Sequence, residues 1–197
     1  MTLAREPDAK RRGITLLLAY SIAMHWTRSI GICYDGVDSA FEVALEEGDL
    51  EYATYASLHR VGIMSLMGRP QDVVRTSALE AARFARNTGM LEFAEALAVR
   101  TKMSEILEGT EVPDDIDLGK FEILTPRCIA ASWAMQPLIF LGEGERALAH
   151  AEVVSAKAEE GLFGFYLHPE FVFYHGLAAA IALDHAREDR IGPLRKI

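Results

Sequence analysis

Six glycines recur along this chain at nearly even intervals, Gly48, Gly68, Gly89, Gly109, Gly142 and Gly161, and four of the five gaps are 19 to 21 residues. Glycine enters the left-handed conformation that ends a helix at little steric cost, so a helix of about 17 residues plus a short turn fills each interval. A second period lies on the first. Gly48-Asp49-Leu50-Glu51-Tyr52-Ala53 returns as Gly89-Met90-Leu91-Glu92-Phe93-Ala94, offset by 41 residues. Two helices therefore make one repeat, and repeats of that length, none able to bury its apolar face alone, stack into an α-solenoid. The expected fold is all-α, built of antiparallel helix pairs.

The pattern predicts helices over 14–29, 36–47, 49–67, 70–88, 90–108, 126–141, 144–160 and 169–185. Pro70, Pro126 and Pro169 fall where a first-turn proline belongs, since the donor it lacks has no partner there. Two helices carry matching small-residue stripes, Val74, Ala78, Ala81, Ala85 and Ala147, Ala151, Val154, Ala158, suited to close helix approach in a hairpin. The regularity breaks over 110–124, where Glu111, Asp114, Asp115, Asp117 and Glu122 face a single Lys120 around Pro113 and Gly119, and an acidic solvated loop is expected. The chain thus divides into a basic segment over 1–13, a helical array over 14–186 and a polar tail over 187–197.

A chain of 197 residues, half of them hydrophobic, can bury a sizeable core. Its formal charge of -9 argues against a nucleic-acid backbone as partner, because that binding releases counterions only from a basic protein surface. Lys10, Arg11 and Arg12 before the apolar stretch Ile14 to Met24 imitate a secretory signal, but Ile14, Leu17, Leu18, Ile22 and His25 share one helical face and the pattern continues through Trp26. A cytoplasmic protein without a membrane span is expected, with Cys33 and Cys128 as reduced thiols.

The chemical signatures of nucleotide loops, dinucleotide fingerprints, zinc-protease helices and nucleophile elbows are all missing from the sequence. His168, His175 and His185 with Glu170 form the nearest histidine grouping, and Asp115 with Asp117 offers only a fragment of a calcium loop, so packing or capping roles are favoured and neither cofactor nor metal is expected. No carboxylate pair can be nominated as acid and base, and the expectation is a chain that is not an enzyme.

Aromatic residues concentrate near the C-terminus, in Phe163, Phe165, Tyr166, Phe171, Phe173 and Tyr174, where they either pack the last turn or anchor a partner. Trp26 and Trp133 lie on apolar faces and are expected in the core. The last helix has an apolar arc wider than one preceding helix can cover, which makes Phe171, Phe173, Tyr174, Leu177 and Ile181 a candidate partner or homodimer surface. Tyr166 and His175, with Phe173, are candidates for lining a small-molecule pocket.

Three strings in series, His25-Trp26, Ala44 to Ala53 and Glu170-Phe171-Val172-Phe173-Tyr174-His175-Gly176-Leu177-Ala178, resemble the tetratricopeptide-like helical region of large bacterial signalling proteins. In that family the region lies between an AAA-type predicted ATPase module and downstream GAF and sensor histidine kinase domains, often behind a serine/threonine kinase. The resemblance spans about Thr15 to Ala186 and includes none of the catalytic modules. It implies a non-catalytic interaction or signal-relay scaffold whose partners are a protein segment or neighbouring domains; a small-molecule effector sensor is the alternative.

Overall fold

The computed structural model describes residues 11–113 and 116–184; the 1–10 segment, Asp114, Asp115, His185 and the 186–197 tail lie outside the described residues. The described residues are all-α, with no strand among them. The long helices are α2 (Ile30–Glu46), α3 (Leu50–Leu66), α4 (Gln71–Asn87), α5 (Leu91–Glu108), α6 (Leu124–Phe140) and α9 (Leu167–Asp184). They are accompanied by the shorter α1 (Arg12–Leu18), α7 (Gly144–Glu152) and α8 (Ala158–Gly161).

The glycine stops operate as the spacing requires at five of six positions. Gly48, Gly68, Gly89, Gly109 and Gly142 have φ between 67° and 79°. After each, the next backbone N–H reaches back across the turn, as in Asp49 to the Ala44 carbonyl at 2.8 Å and Met90 to the Ala85 carbonyl at 2.9 Å. This is the closure of a left-handed glycine C-cap, which satisfies carbonyls the helix would otherwise leave open. Gly161 departs from the expectation. It ends α8, a Cβ there would lie 2.6 Å from Cys128 Sγ, and the left-handed turn falls to Gly164 at φ 75°.

Three helix boundaries also differ from the sequence pattern. The first helix widens into a π turn over Ala19–Ala23 and tightens into a 3-10 turn over Met24–Trp26, ending before the expected 29. The second begins at Ile30 rather than 36, because Gly31 and Gly36 weaken the local helical signal while packing requires Gly36, whose missing Cβ leaves the space filled by the Tyr20 ring. The helix expected over 144–160 breaks after Glu152 and resumes through a 3-10 turn at Ser155–Lys157. Adjacent Val153 and Val154 are poor helix formers, and the break leaves Val154 and Ala158 buried with Ala147 and Ala151.

The chain forms two compact units. The first gathers the described residues up to Leu97 together with Gly164–Tyr166. Within it α2 packs on α1 and α3, and α3 on α4. Its core is small and aliphatic, including Val37, Ala40, Ala44, Ala56, Val61 and Ile63, and the stripe of Val74, Ala78, Ala81 and Ala85 is buried throughout. The second unit takes Ala98–Phe163 and the residues from Leu167. There α6 is buried nearly all round, as its lack of a polar face requires, with Trp133 at its centre and α7 and α9 packed against it. The acidic loop is tied to this core by Leu118 and Phe121, both buried, and Asp117 caps the turn by accepting from the Gly119 N–H at 2.9 Å.

Candidate functional site

A pocket of about 260 Å³ opens in the first unit where α2, α3 and α4 meet. α2 supplies Phe41; α3 supplies Ser57 and Arg60, three apart; α4 supplies Ser77, Glu80, Ala81 and Phe84, at the offsets that share one helical face. The two phenyl rings meet edge to face, with centroids 5.7 Å apart. Arg60 places its guanidinium carbon 5.1 Å from the Phe41 ring centre and its Nε 3.0 Å from Asp38 Oδ1. That contact is an ion pair without an aligned hydrogen bond. Ser57 donates to the Thr54 carbonyl at 2.8 Å, leaving its oxygen lone pairs for the pocket. Glu80 is exposed and has no ion-pair partner among the described residues.

A second cluster in this unit is built for packing. The Tyr166 hydroxyl donates to the His59 carbonyl at 3.2 Å, through a notch that exists only because residue 62 is glycine: a Cβ there would sit 2.1 Å from the hydroxyl oxygen. His59, 4% exposed, has its ring edge-on to Phe165 and Tyr166. Burial, helped by repulsion from His25, pushes its pKa down to about 4, so the ring is neutral at physiological pH. Burial also lowers the His25 pKa, partly opposed by the Ser21 carbonyl. Trp26, expected in the core, is 64% exposed and lies beside His25 with ring centres 4.8 Å apart. The 3-10 turn rotates it off the face that the helical pattern assigned.

The second unit holds a buried polar relay across three helices. Arg100 of α5, 1% exposed, donates to Gln136 Oε1 of α6 at 3.2 Å, and Gln136 Nε2 donates to Glu170 Oε1 of α9 at 2.7 Å. Burial raises the Glu170 carboxyl to about 7 against the pull of Arg100 and the Gln136 bond, while burial lowers Arg100 to about 10. Burial, then the Glu170 charge, raises Tyr174 as well. The relay links α5 to α6 and α6 to α9, and so fastens α9 to its neighbours.

The residues singled out from sequence separate accordingly. Phe171 is buried at 2% and Phe173 is 63% exposed, with Tyr174, Leu177 and Ile181 half-buried. Ile181 packs onto the open side of Gly144, so α9 leans on α7 as well as on α6 and α8. It is covered by more than the single preceding helix that its apolar arc suggested. Tyr166 belongs to the first unit's cluster, and His175 to the second unit, where it lies 5.5 Å from Phe171. Burial lowers the His175 pKa. Among the described residues no three metal-type side chains converge, and none of their helices is long and apolar enough to cross a membrane.

Of the pocket residues only Ala81, as part of a small-residue stripe, and of the relay only Glu170, beside the histidine grouping, were singled out in the sequence, and neither in the role the structure gives it. Arg100 and His59 had a legible signal, since each stands in apolar register, Arg100 with Leu97 and Met103, His59 with Ala56 and Ile63. Phe41, Arg60 and Phe84 had none, because a pocket made by three helices has no local spacing. No family model, curated protein or solved structure matches the chain, and nothing in these comparisons connects it to the tetratricopeptide-like region of signalling proteins.

Proposed function

We propose that the chain is a non-catalytic interaction or signal-relay scaffold of tetratricopeptide-like type, acting in the bacterial cytoplasm, and that its α2–α4 pocket receives a side chain from a partner's protein segment. The observation that carries this reading is the pocket itself: two aromatic rings, a guanidinium held in place, two hydroxyls and a rim carboxylate around about 260 Å³. A few well-placed aromatic and arginine anchors supply most of the affinity in such interfaces. The volume lies just under the ~300–1,000 Å³ of typical small-molecule sites, which favours one inserted side chain over a free effector.

The test is selection of phage-displayed random dodecapeptides on the full chain. Families should emerge whose binding falls at least about tenfold in Phe84→Ala and is unchanged in Phe173→Ala, the loss expected for an aromatic anchor. Selection that yields no Phe84-dependent family would refute the proposal.

A further inference from the structure

Resting on that reading, we infer that the pocket's occupant is a basic side chain, arginine or lysine, of the bound segment. The charges at the site decide its polarity. Arg60 and Asp38, 3.0 Å apart, compensate each other, and Glu80 on the rim is left uncompensated among the described residues. An acidic side chain entering here would meet Glu80 at close range, and a purely apolar one would cover that carboxylate without pairing it, which costs binding.

The aromatic pair fits a cation on an apolar stem. Phe41 already carries the Arg60 guanidinium at 5.1 Å, inside the roughly 6 Å over which a ring face attracts a cation. Phe84 supplies the second ring, one helical turn from Glu80 on the same face of α4. An incoming arginine or lysine would lay its methylene stem against Phe84 and Ala81 and bring its head to Glu80, the arrangement in which long basic side chains bury stem and expose head. The formal charge of -9 adds a field that draws basic segments toward the chain.

The experiment uses the phage-displayed random dodecapeptides already described. Phe84-dependent families should share one Arg or Lys, and replacing it with norleucine should weaken binding about tenfold, the range for a cation held by a ring and a carboxylate together. Glu80→Gln should weaken the parent peptide similarly and the norleucine peptide hardly at all. Glu80 is exposed, so this variant keeps its fold, which circular dichroism checks. Phe84-dependent peptides that bind equally well with norleucine, or that are insensitive to Glu80→Gln, would overturn the basic anchor and leave the scaffold reading standing. The absence of any Phe84-dependent peptide would overturn both.

Discussion

Gly62→Ala should reveal how tightly the Gly164–Tyr166 segment is held in the first unit. In an exposed helix the change would stabilise by up to about 1 kcal/mol, because alanine restricts the unfolded chain and favours the helix. At position 62 the new methyl would lie 2.1 Å from the Tyr166 hydroxyl oxygen, 3.1 Å from Cζ and 3.4 Å from Cε2. The ring must withdraw, straining the packing by about 1–3 kcal/mol and releasing a hydrogen bond to the His59 carbonyl worth about 1 kcal/mol. The net expectation is a loss of about 1–3 kcal/mol. Tyr166→Phe alone should cost about 1–2 kcal/mol, since it leaves a buried carbonyl without that donor. The double variant is the sharper case. Without the hydroxyl the closest contact is the one to Cζ, so Gly62→Ala/Tyr166→Phe should be more stable than Gly62→Ala alone. Urea unfolding followed by far-ultraviolet circular dichroism measures all four corners of the cycle. Additive losses would refute the notch argument.

Two buried titrations should oppose each other in stability against pH. Glu170 is raised from 4.5 to about 7, so the folded chain binds more protons than the unfolded one between those values and stability falls as pH rises through them, by up to about 3 kcal/mol. His59 is lowered from 6.5 to about 4, so its contribution runs the other way: stability is lost as pH falls from about 6.5 toward 4, by a similar amount. Wild-type stability should therefore vary little across this range, whereas Glu170→Gln should become clearly more stable as pH rises; a pH series of urea melts decides. Ala78→Leu and Ala151→Leu should each cost about 1–3 kcal/mol by overpacking buried stripes, and unchanged thermal melting in both would show that neither stripe is close-packed. Phe173→Glu should leave the melting temperature within a few degrees of wild type while Phe171→Glu abolishes cooperative unfolding, because only the second buries a charge. If α9 also forms the homodimer surface that the exposed Phe173 suggests, Phe173→Glu will turn a dimer into a monomer by light scattering, and an already monomeric wild type excludes that surface.

The fold was legible wherever a local rule acted alone. A left-handed glycine after each helix is dictated by backbone sterics, and five of those stops could be placed from spacing. The boundaries that escaped, the Ile30 start of α2 and the break after Glu152, have different causes: Gly36 is kept inside a helix because the Tyr20 ring fills the space beside it, and the adjacent β-branched Val153 and Val154 disfavour continuing a helix whose small-residue stripe is buried on both sides of the break. Trp26 misled because a helical wheel assumes a regular helix, and a π turn followed by a 3-10 turn shifts the phase of every later residue. The C-terminal aromatics were visible as a cluster but not as a partition, with Tyr166 and Phe171 inside and Phe163 and Phe173 outside. The pocket was invisible for a different reason. Phe41, Arg60 and Phe84 are ordinary residues on three helices, and only the packing of α2, α3 and α4 brings them together.

Hydrogen exchange of the full chain with and without a selected dodecapeptide shows whether the α2–α4 pocket is where a partner binds. Protection confined to the α3 residues around Ser57 and Arg60 and the α4 residues from Ser77 to Phe84, and absent in Phe84→Ala, is the predicted result. Protection centred on α9 or the acidic loop, with the α4 amides unchanged, would contradict it.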